Sequence, residues 1–429
     1  MILCSTNNPA LRLTFAEAVE KGMSDEGGLF MPVQMTPFRK DEVNRMGGES
    51  LQQVAFEVLH RILQDEIPEL PLRQIIDESL TFPIPLRKLD DSTRILELFH
   101  GPTLAFKDVG ARFMARMLAY LHRRDAREVT VLVATSGDTG SAVALGFAGI
   151  SGTRVVLLYP SGRVSRIQEQ QMTTVGGNVV ALEIDGTFDD CQGLVKQAFG
   201  DREVLARRTL STANSINCAR LFPQVSYYFY AISQLSRDDE VPVFSVPSGN
   251  LGNLTAGLLA RELGLPVKSF IAACNANDVL PEYLRTGVFR PRPSVQTIAN
   301  AMDVGNPSNF ARLTSLFGAR TDWMTSVITG VSCADNEIRT TIREVFRKHG
   351  YVLDPHAAVA YHAWDQRRKG LGVVLATAHP AKFADVYDSE IGAAVDVPER
   401  LRACMSLPKQ STRLSSRYAD FQSFLIHSN

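Results

Sequence analysis

The sequence lacks an excess of charge of either sign, since 45 basic residues stand against 46 acidic ones among 429 residues. Such a balance gives no general attraction to nucleic acid or to an anionic membrane. The sequence also has no uninterrupted run of about twenty apolar residues and no charged N-terminal segment followed by an apolar stretch. We therefore expect no nucleic-acid partner, no membrane insertion and no export.

Cysteine is scarce and scattered. The six cysteines lie far apart, and no two of them form the Cys-x-x-Cys pair that is typical of metal ligands or redox centres. This spacing favours reduced thiols over a disulfide framework. We expect a cytoplasmic protein with no bound metal.

The pattern of apolar residues changes near residue 90. The first part is helical and loop-rich, with predicted helices at Leu51–Leu63 and Leu72–Leu80, whereas short apolar strands alternate with helices further on. The predicted strands are Val129–Ala134, Arg154–Tyr159, Val179–Ile184, Val243–Val246, Ser269–Ala273 and Val373–Thr377. This alternation predicts an α/β fold with buried, mostly parallel sheets after a helical N-terminal domain. The segment from Gly318 to Asp335 has no clear pattern.

Lys107, in the segment Glu97–Asp108, lies between a turn and the start of a predicted amphipathic helix. The positive end of the helix dipole and partial desolvation both disfavour an ammonium ion there. A free amine at this position could attack an aldehyde and form a Schiff base. The alternative is an ordinary surface lysine.

A second motif, Gly249–Asn253, follows a predicted strand and precedes a predicted helix. Its glycines let backbone N–H groups turn toward one point, and the helix start adds positive charge, so the loop is suited to a phosphate. It matches neither the dinucleotide fingerprint nor the Walker loop, which leaves nucleotide binding without support. The alternative is a tight turn.

A third loop, Thr135–Ser141, also joins a strand to a helix. Its hydroxyl and N–H donors suit a carboxylate, while the alternative is a simple helix-capping segment.

The residues of the three motifs, and the order in which the motifs occur, resemble those of the threonine synthases. These are pyridoxal-phosphate enzymes of the tryptophan-synthase-β-like fold, also called fold type II. The likeness extends to Gly22–Pro32, to Asn214–Asn217 with Arg220, and to Ala376–Phe383. It therefore covers most of the chain. It implies two mostly parallel sheets flanked by helices.

The change in the pattern of apolar residues near residue 90 and this resemblance together predict three domains. Residues 1–90 form a helical and loop-rich N-terminal domain. Residues 91–130 and 236–429 form a large cofactor-binding α/β domain, and residues 131–235 form a smaller, mobile substrate domain.

The resemblance also assigns roles to individual residues. Lys107 would hold the cofactor as a Schiff base and act as the base, and Thr377 would face the pyridine nitrogen. The phosphate of the cofactor would lie against Gly249, Asn250, Leu251, Gly252 and Asn253. The α-carboxylate of the substrate would be held by Thr135, Ser136, Asp138 and Thr139. The charge of Asp138 would repel this carboxylate, so the alternative is that Asp138 caps the helix or is held by a neighbouring residue. The substrate phosphate would be bound by Asn214, Ser215, Asn217 and Arg220.

The implied enzyme is a carbon–oxygen lyase of threonine biosynthesis that acts on a phosphate ester. It would convert O-phospho-L-homoserine and water into L-threonine and phosphate, as a monomer or a homodimer. One alternative is a related phospho-lyase that yields a 2-oxo acid, ammonia and phosphate. A more distant alternative is a non-catalytic sensor of a phosphate ligand.

Two further groups of residues have polar side chains next to apolar segments. His356 and His379, with Lys382 close to the latter, could move protons or contact phosphate, but buried histidines are more commonly structural. The run Tyr227–Tyr230 lies inside an apolar helical stretch, so we interpret it as core packing.

Overall fold

Two sheets rich in parallel strands form the framework of the chain in the computed structural model, which describes residues 1–124, 128–236, 238–318, 320–392 and 394–428. Numbered along these residues, the strands β1 to β14 are Ile2–Ser5, Arg12–Thr14, Phe30–Pro32, Leu86–Lys88, Thr93–Glu97, Val129–Ala134, Thr153–Pro160, Val179–Asp185, Thr209–Thr212, Val243–Pro247, Ser269–Cys274, Ile328–Ser332, Gly372–Ala376 and Thr412–Ser415.

Helices cover both faces of these sheets and fill the connections between the strands. In chain order, α1 to α19 are Phe15–Lys21, Lys40–Arg45, Leu51–Leu63, Glu69–Ser79, Lys107–Leu121, Asp138–Phe147, Arg166–Thr173, Phe188–Gly200, Arg202–Arg207, Cys218–Ser233, Gly252–Glu262, Val279–Thr286, Phe310–Phe317, Thr321–Val327, Asp335–His349, Pro355–Asp365, Ser389–Gly392, Glu399–Met405 and Tyr418–His427. Short 3-10 segments lie at Gln64–Glu66, Asn300–Met302 and Pro380–Val386.

The larger sheet has six strands in the order β12-β11-β10-β13-β5-β4, and only the edge strand β4 is antiparallel to its neighbour. Val374 of β13 lies opposite Ser245 of β10 on one side and Ile95 of β5 on the other. The inner strands of the larger sheet are short, nearly continuous apolar runs because helices cover both faces of this sheet. The predicted strands β10, β11 and β13 are confirmed within one residue at either end.

The smaller sheet has five parallel strands in the order β14-β8-β7-β6-β9. All residues of β6 and β7 are buried, as expected for strands covered on both faces. Together the two sheets confirm the predicted α/β fold with mostly parallel strands.

The N-terminal part contains helices α1 to α4, of which the sequence predicts α3 and most of α4. It also contains an antiparallel sheet in the order β2-β1-β3 that the sequence analysis missed. This part shares its apolar core with the rest of the chain. Phe15 of α1 stacks on Phe222 of α10 with ring centroids 5.9 Å apart, and α10 also packs on α3, α5 and α11.

The C-terminal segment does not follow the expected domain division. β14 pairs with β8 of the smaller sheet, and Phe421 and Leu425 of α19 are buried in the apolar core of that sheet. Residues 412–427 therefore accompany the smaller sheet, whereas the prediction placed all of 236–429 with the larger one. The mobility of the smaller domain stays a prediction.

The predicted site loops lie at the carboxyl ends of strands, where ligands of parallel α/β folds bind. The loop before Lys107 follows β5, and Thr135 and Ser248 follow β6 and β10. Thr377 follows β13, and the segment that contains Asn214 follows β9.

All six cysteines are free. No helix of the described residues is both long enough and apolar enough to cross a membrane.

Candidate active site

Lys107 is the first residue of α5, as predicted, and its side chain is only 17% exposed. The loop before it is fixed by Thr103, whose backbone N–H and hydroxyl both donate to the Asp108 carboxylate at 2.8 Å. A Cβ on Gly101 would lie 2.4 Å from Oδ2 of Asp108, so only glycine fits there. The loop therefore holds the start of α5, and with it Lys107, in one position.

The surroundings of Lys107 favour a free amine. Burial lowers the pKa of Lys107 to about 8, with Lys382 and Arg220 acting in the same direction and the nearby Asp138 carboxylate opposing them. Asp138 Oδ2 lies 4.0 Å from Lys107 Nζ. The interpretation of Lys107 as an ordinary surface lysine does not fit this environment.

Thr377 lies next to the Lys107 loop. Its backbone carbonyl accepts a hydrogen bond from the N–H of Phe106 at 2.9 Å, and the N–H of His379 donates to Leu104 at 3.0 Å. The Thr377 side chain is nearly buried. The end of β13 and the start of α5 are therefore held together, which brings Thr377 beside the predicted catalytic lysine.

The Gly249–Asn253 loop has the backbone of an anion site. Leu251 adopts a left-handed conformation with φ of 62°, which is rare for a leucine and is typical of functional loops. A Cβ on Gly249 would lie 2.7 Å from Cα of Met302, so this position requires glycine. The first backbone bond of α11 runs from Thr255 N–H to Leu251, which leaves the N–H groups of residues 252–254 as first-turn donors.

Asn253, in this loop, is held by two tyrosines of the run Tyr227–Tyr230, which we interpreted as core residues. The hydroxyls of Tyr227 and Tyr228 each donate to Asn253 Oδ1 at 2.7 Å. Both rings are buried in the main apolar core, which confirms the packing interpretation and adds a polar role. Within the described residues, Asn253 Nδ2 is buried and has no hydrogen-bond partner.

In the Thr135–Ser141 loop the predicted carboxylate ligands are in different environments. The Thr135 hydroxyl accepts the N–H groups of Gly137 and Gly140 at 3.1 and 2.9 Å, so it shapes the loop. Ser136 is exposed and Thr139 is half-buried. Asp138, by contrast, is buried at the start of α6 and pairs with Lys382, with Nζ to Oδ1 at 2.6 Å.

The predicted phosphate-binding segment lies between this loop and the Gly249–Asn253 loop. The Asn214 side-chain amide donates to Ala134 at 3.4 Å, and Asn250 donates to Ser215 Oγ at 2.7 Å. Asn217 caps α10 and donates to the carbonyls of Val19 and Thr212, so its fully buried side chain is occupied by the protein itself. Asn217 therefore positions the predicted phosphate-binding segment.

Arg220 is buried, with only 3% of its surface exposed, so it is not a surface cation. It packs against α5, where a Cβ on Gly110 would lie 2.7 Å from its carbonyl oxygen. Burial lowers the pKa of Arg220 to about 10, against the opposing charge of Asp108. Its Nη1 donates to Ala213, while its buried Nε has no partner in the described part of the chain.

Sequence reasoning missed two buried residues that join these loops. Asn309 Nδ2 donates to the Asn250 carbonyl at 2.8 Å. Arg312 donates to the carbonyls of Ser215 and Ile216 at 3.0 and 2.6 Å. Because both act through backbone carbonyls of distant segments, no local motif reveals them.

The two histidines have structural roles. His356 Nδ1 lies 2.8 Å from Asp354, and its Nε2 accepts the N–H of Ala301 at 3.2 Å. Burial lowers the pKa of His379 to about 4, and its Nδ1 accepts the N–H of Ala381. A hydrogen-bonded ring at each position agrees with the structural interpretation.

Comparison with known proteins agrees with this geometry. The family described as "Pyridoxal-phosphate dependent enzyme" matches residues 84–373. "Threonine synthase N terminus" matches residues 3–80, and "Threonine synthase, C-terminal" matches residues 356–425.

The chain is 43% identical to the threonine synthase of Serratia marcescens, over 97% of this chain and 96% of that protein. The crystal structure of the Escherichia coli threonine synthase is 41% identical and superposes with a TM-score of 0.92, with all of both chains covered. A pyridoxal-phosphate-bound threonine synthase from Brucella melitensis is 36% identical, with a TM-score of 0.93 over 100% of this chain and 99% of the other.

The fold and the site thus define a pyridoxal-phosphate-dependent lyase, whose cofactor is pyridoxal 5'-phosphate. Two of the three matching families and the similar proteins point to one branch of that class. The chain belongs to the threonine synthase family.

The residues present fit this cofactor. A nearly buried amine of lowered pKa suits its aldehyde. The first-turn N–H groups of α11 and the unpartnered buried amide of Asn253 suit a phosphate.

Proposed function

We propose that this chain converts O-phospho-L-homoserine and water into L-threonine and inorganic phosphate, by elimination of phosphate from the γ-carbon and addition of water at the β-carbon. The observation that carries the proposal is the buried Arg220 beside α5, a cation whose charge acts on the low-pKa amine of Lys107. A phosphate bound by this guanidinium would be a second one, besides the phosphate that the first-turn N–H groups of α11 would hold. Membership of the threonine synthase family supports it.

When bound, the cofactor supplies an aldehyde that bonds to amino groups and a ring that withdraws electrons from the substrate's α-carbon. Lys107 Nζ would hold the aldehyde, and Thr377 would donate to the pyridine nitrogen. Gly249, Asn250, Leu251, Gly252 and Asn253 would hold the phosphate through the donors at the start of α11.

Lys107 Nζ also serves as the base. When it is not bonded to the aldehyde, this amine would accept the α-proton of the substrate. Its lowered pKa keeps a useful fraction unprotonated near neutral pH. Thr103 and Asp108 support this step because they fix the loop from which α5 begins.

The substrate's carboxylate would bind at the start of α6. Ser136 and Thr139 offer hydroxyl donors there, together with the helix N-terminus, while Thr135 holds the loop in shape. Asp138 belongs to this set by position, but its ion pair with Lys382 makes it a supporting residue in our proposal.

The substrate's phosphate would be bound by Arg220 with Asn214 and Ser215, while Asn217 holds that segment in place. A guanidinium can give two parallel hydrogen bonds to phosphate oxygens. The same cation would stabilise the charge that develops as the γ-carbon–oxygen bond breaks.

The phospho-lyase alternative requires the same residues, so products must separate the two. Purified enzyme incubated with O-phospho-L-homoserine should release threonine and phosphate in equal amounts. Release of 2-oxobutyrate with ammonia would select the phospho-lyase instead, and absence of any turnover would select the sensor.

The partners and location stay proposals as well. We propose a small-molecule substrate and a cytoplasmic location, which the six free cysteines support. The expected assembly, a monomer or a homodimer, stays a prediction.

The pKa of Lys107 gives a testable pH dependence. With a pKa of about 8, about one amine in ten is free at pH 7, compared with about one in three thousand at the ordinary value. Cofactor-free enzyme should therefore bind pyridoxal phosphate about tenfold faster for each pH unit up to about 8 and then level off. Stopped-flow absorbance measures this rate, and a midpoint near 10 would contradict the proposed environment.

Replacement of Thr377 by valine tests the partner of the pyridine nitrogen. Thr377→Val keeps the shape of the side chain but removes one hydrogen bond, so cofactor binding should weaken by on the order of 1 kcal/mol. Equilibrium dialysis of the cofactor measures the change. Thr377→Ser, which keeps a hydroxyl, is the control, and wild-type binding and turnover in the valine variant would remove Thr377 from the site.

A further inference from the structure

Lys382 has no role in the reaction proposed above, yet its side chain is completely buried next to the site. It lies in the 3-10 segment Pro380–Val386, which follows Thr377. Its Nζ lies 2.6 Å from Asp138 Oδ1 and donates to the Thr103 carbonyl at 3.0 Å. A lysine buried this deeply costs free energy unless it is paired, so its contact with the Asp138 carboxylate is significant.

Asp138 lies between the side-chain amino groups of two lysines. Gln168 Nε2 and Lys382 Nζ both approach Oδ1, at 3.0 and 2.6 Å, while Oδ2 is turned toward Lys107 Nζ at 4.0 Å. The carboxylate is buried, and the two lysines outweigh the effect of burial and hold the pKa of Asp138 well below its usual value. Asp138 therefore carries a full negative charge inside the site.

That charge conflicts with the proposed binding of the substrate's carboxylate at the start of α6. Two carboxylates close together in a poorly solvated site repel each other. Lys382 removes the conflict, because the Asp138–Lys382 pair has no net charge.

We propose that Lys382 is a positioning residue that neutralises Asp138 toward the substrate's carboxylate and limits the hold of Asp138 on the proton of Lys107. The proposal rests on the proposed function in one respect, namely that the substrate's carboxylate binds at the start of α6. The effect on Lys107 does not depend on the substrate.

The charged groups that face Lys107 come from three elements. Asp138 on α6 favours its ammonium form, while Lys382 in the 3-10 segment and Arg220 on α10 disfavour it. Loss of Lys382 alone leaves Asp138 paired with Lys107, so the amine should hold its proton more tightly. Loss of Asp138 alone should have the opposite effect. Loss of both should return Lys107 close to its original state.

The test compares Lys382→Met, Asp138→Asn and the double variant. The first readout is the pH midpoint at which cofactor-free enzyme binds pyridoxal phosphate, which involves no substrate. We expect Lys382→Met to raise this midpoint by about one unit and Asp138→Asn to lower it, with the double variant near wild type. A simple structural role for Lys382 would not move the midpoint in opposite directions in the two single variants.

The second readout is the KM for O-phospho-L-homoserine. Lys382→Met should raise KM by about tenfold or more, with a smaller change in kcat, and the double variant should recover most of that loss. Lys88→Met is the matched control, since it removes a lysine from an exposed pair with Asp91 and should leave both readouts unchanged. If Lys382→Met does not fold, Lys382→Gln, which keeps a hydrogen-bond donor toward the Thr103 carbonyl, takes its place.

A double variant as impaired as the sum of its parts, or a single Lys382 variant with wild-type midpoint and KM, would overturn the proposal. The two readouts also separate this proposal from the proposed function. If wild-type enzyme fails to turn over O-phospho-L-homoserine while the midpoints shift as expected, the function is wrong and the effect of Lys382 on Lys107 stands.

Discussion

Replacement of Lys107 by alanine should lower turnover of O-phospho-L-homoserine by about four orders of magnitude or more, the scale seen when a covalent catalytic group is removed. The reason is that Lys107 Nζ has two duties in our proposal, because it holds the cofactor's aldehyde and accepts the α-proton. Lys382, a second buried lysine beside the site, cannot take over, since its Nζ is fixed by Asp138 and Thr103. Steady-state product formation measures the loss.

Lys348→Ala is the control for this variant, because Lys348 is an exposed lysine on α15 and its loss should leave turnover unchanged. Borohydride reduction of wild-type enzyme, followed by peptide mapping, should place the cofactor on Lys107. A reduced adduct on a different lysine, or full turnover in Lys107→Ala, would show that the assignment is wrong.

The second large effect is expected for Arg220→Leu, which should cut turnover about a hundredfold or more. That is the scale observed when one oriented donor to a transition state is lost. The guanidinium in our proposal holds the substrate's phosphate while the γ-carbon–oxygen bond breaks. Cofactor content should change little, because the cofactor's own phosphate binds at Gly249–Asn253.

Arg220→Lys is the matched variant, because it keeps the charge and loses the planar pair of donors, so its turnover should fall between wild type and Arg220→Leu. Turnover and cofactor content are measured on the same preparation. Normal turnover in Arg220→Leu would contradict the phosphate role, while loss of cofactor would mean that the arginine serves the other phosphate.

Much of the fold follows from local sequence, because the central parallel strands are covered on both faces. The apolar runs of β6 and β10 are visible in sequence for this reason, and their bounds are nearly those predicted. By contrast, β14 is short and largely exposed, and it pairs with β8 more than two hundred residues away in the chain. Neither apolar pattern nor sequence proximity indicates such an edge strand.

The site residues also fall into two groups, those that local sequence signals reveal and those that only tertiary contacts reveal. Lys107 and the loops after β6 and β10 are found from local signals, since glycines and capping residues at strand ends mark them. No local pattern indicates that Lys382 and Arg312 are buried, yet both side chains are buried against partners that tertiary contacts bring to them. The sequence alone does not explain how the Asp138 carboxylate can lie where a substrate carboxylate is expected to bind. The ion pair between Asp138 and Lys382 supplies the physical explanation.

The most direct test of the central claim is to run the reaction in water labelled with oxygen-18. Elimination across the γ-carbon–oxygen bond leaves all four oxygens of the departing phosphate unlabelled, and addition of water at the β-carbon places one label in the hydroxyl of threonine. Mass spectrometry of both products should show this pattern. Labelled phosphate together with homoserine would show cleavage of the phosphorus–oxygen bond and would contradict the account.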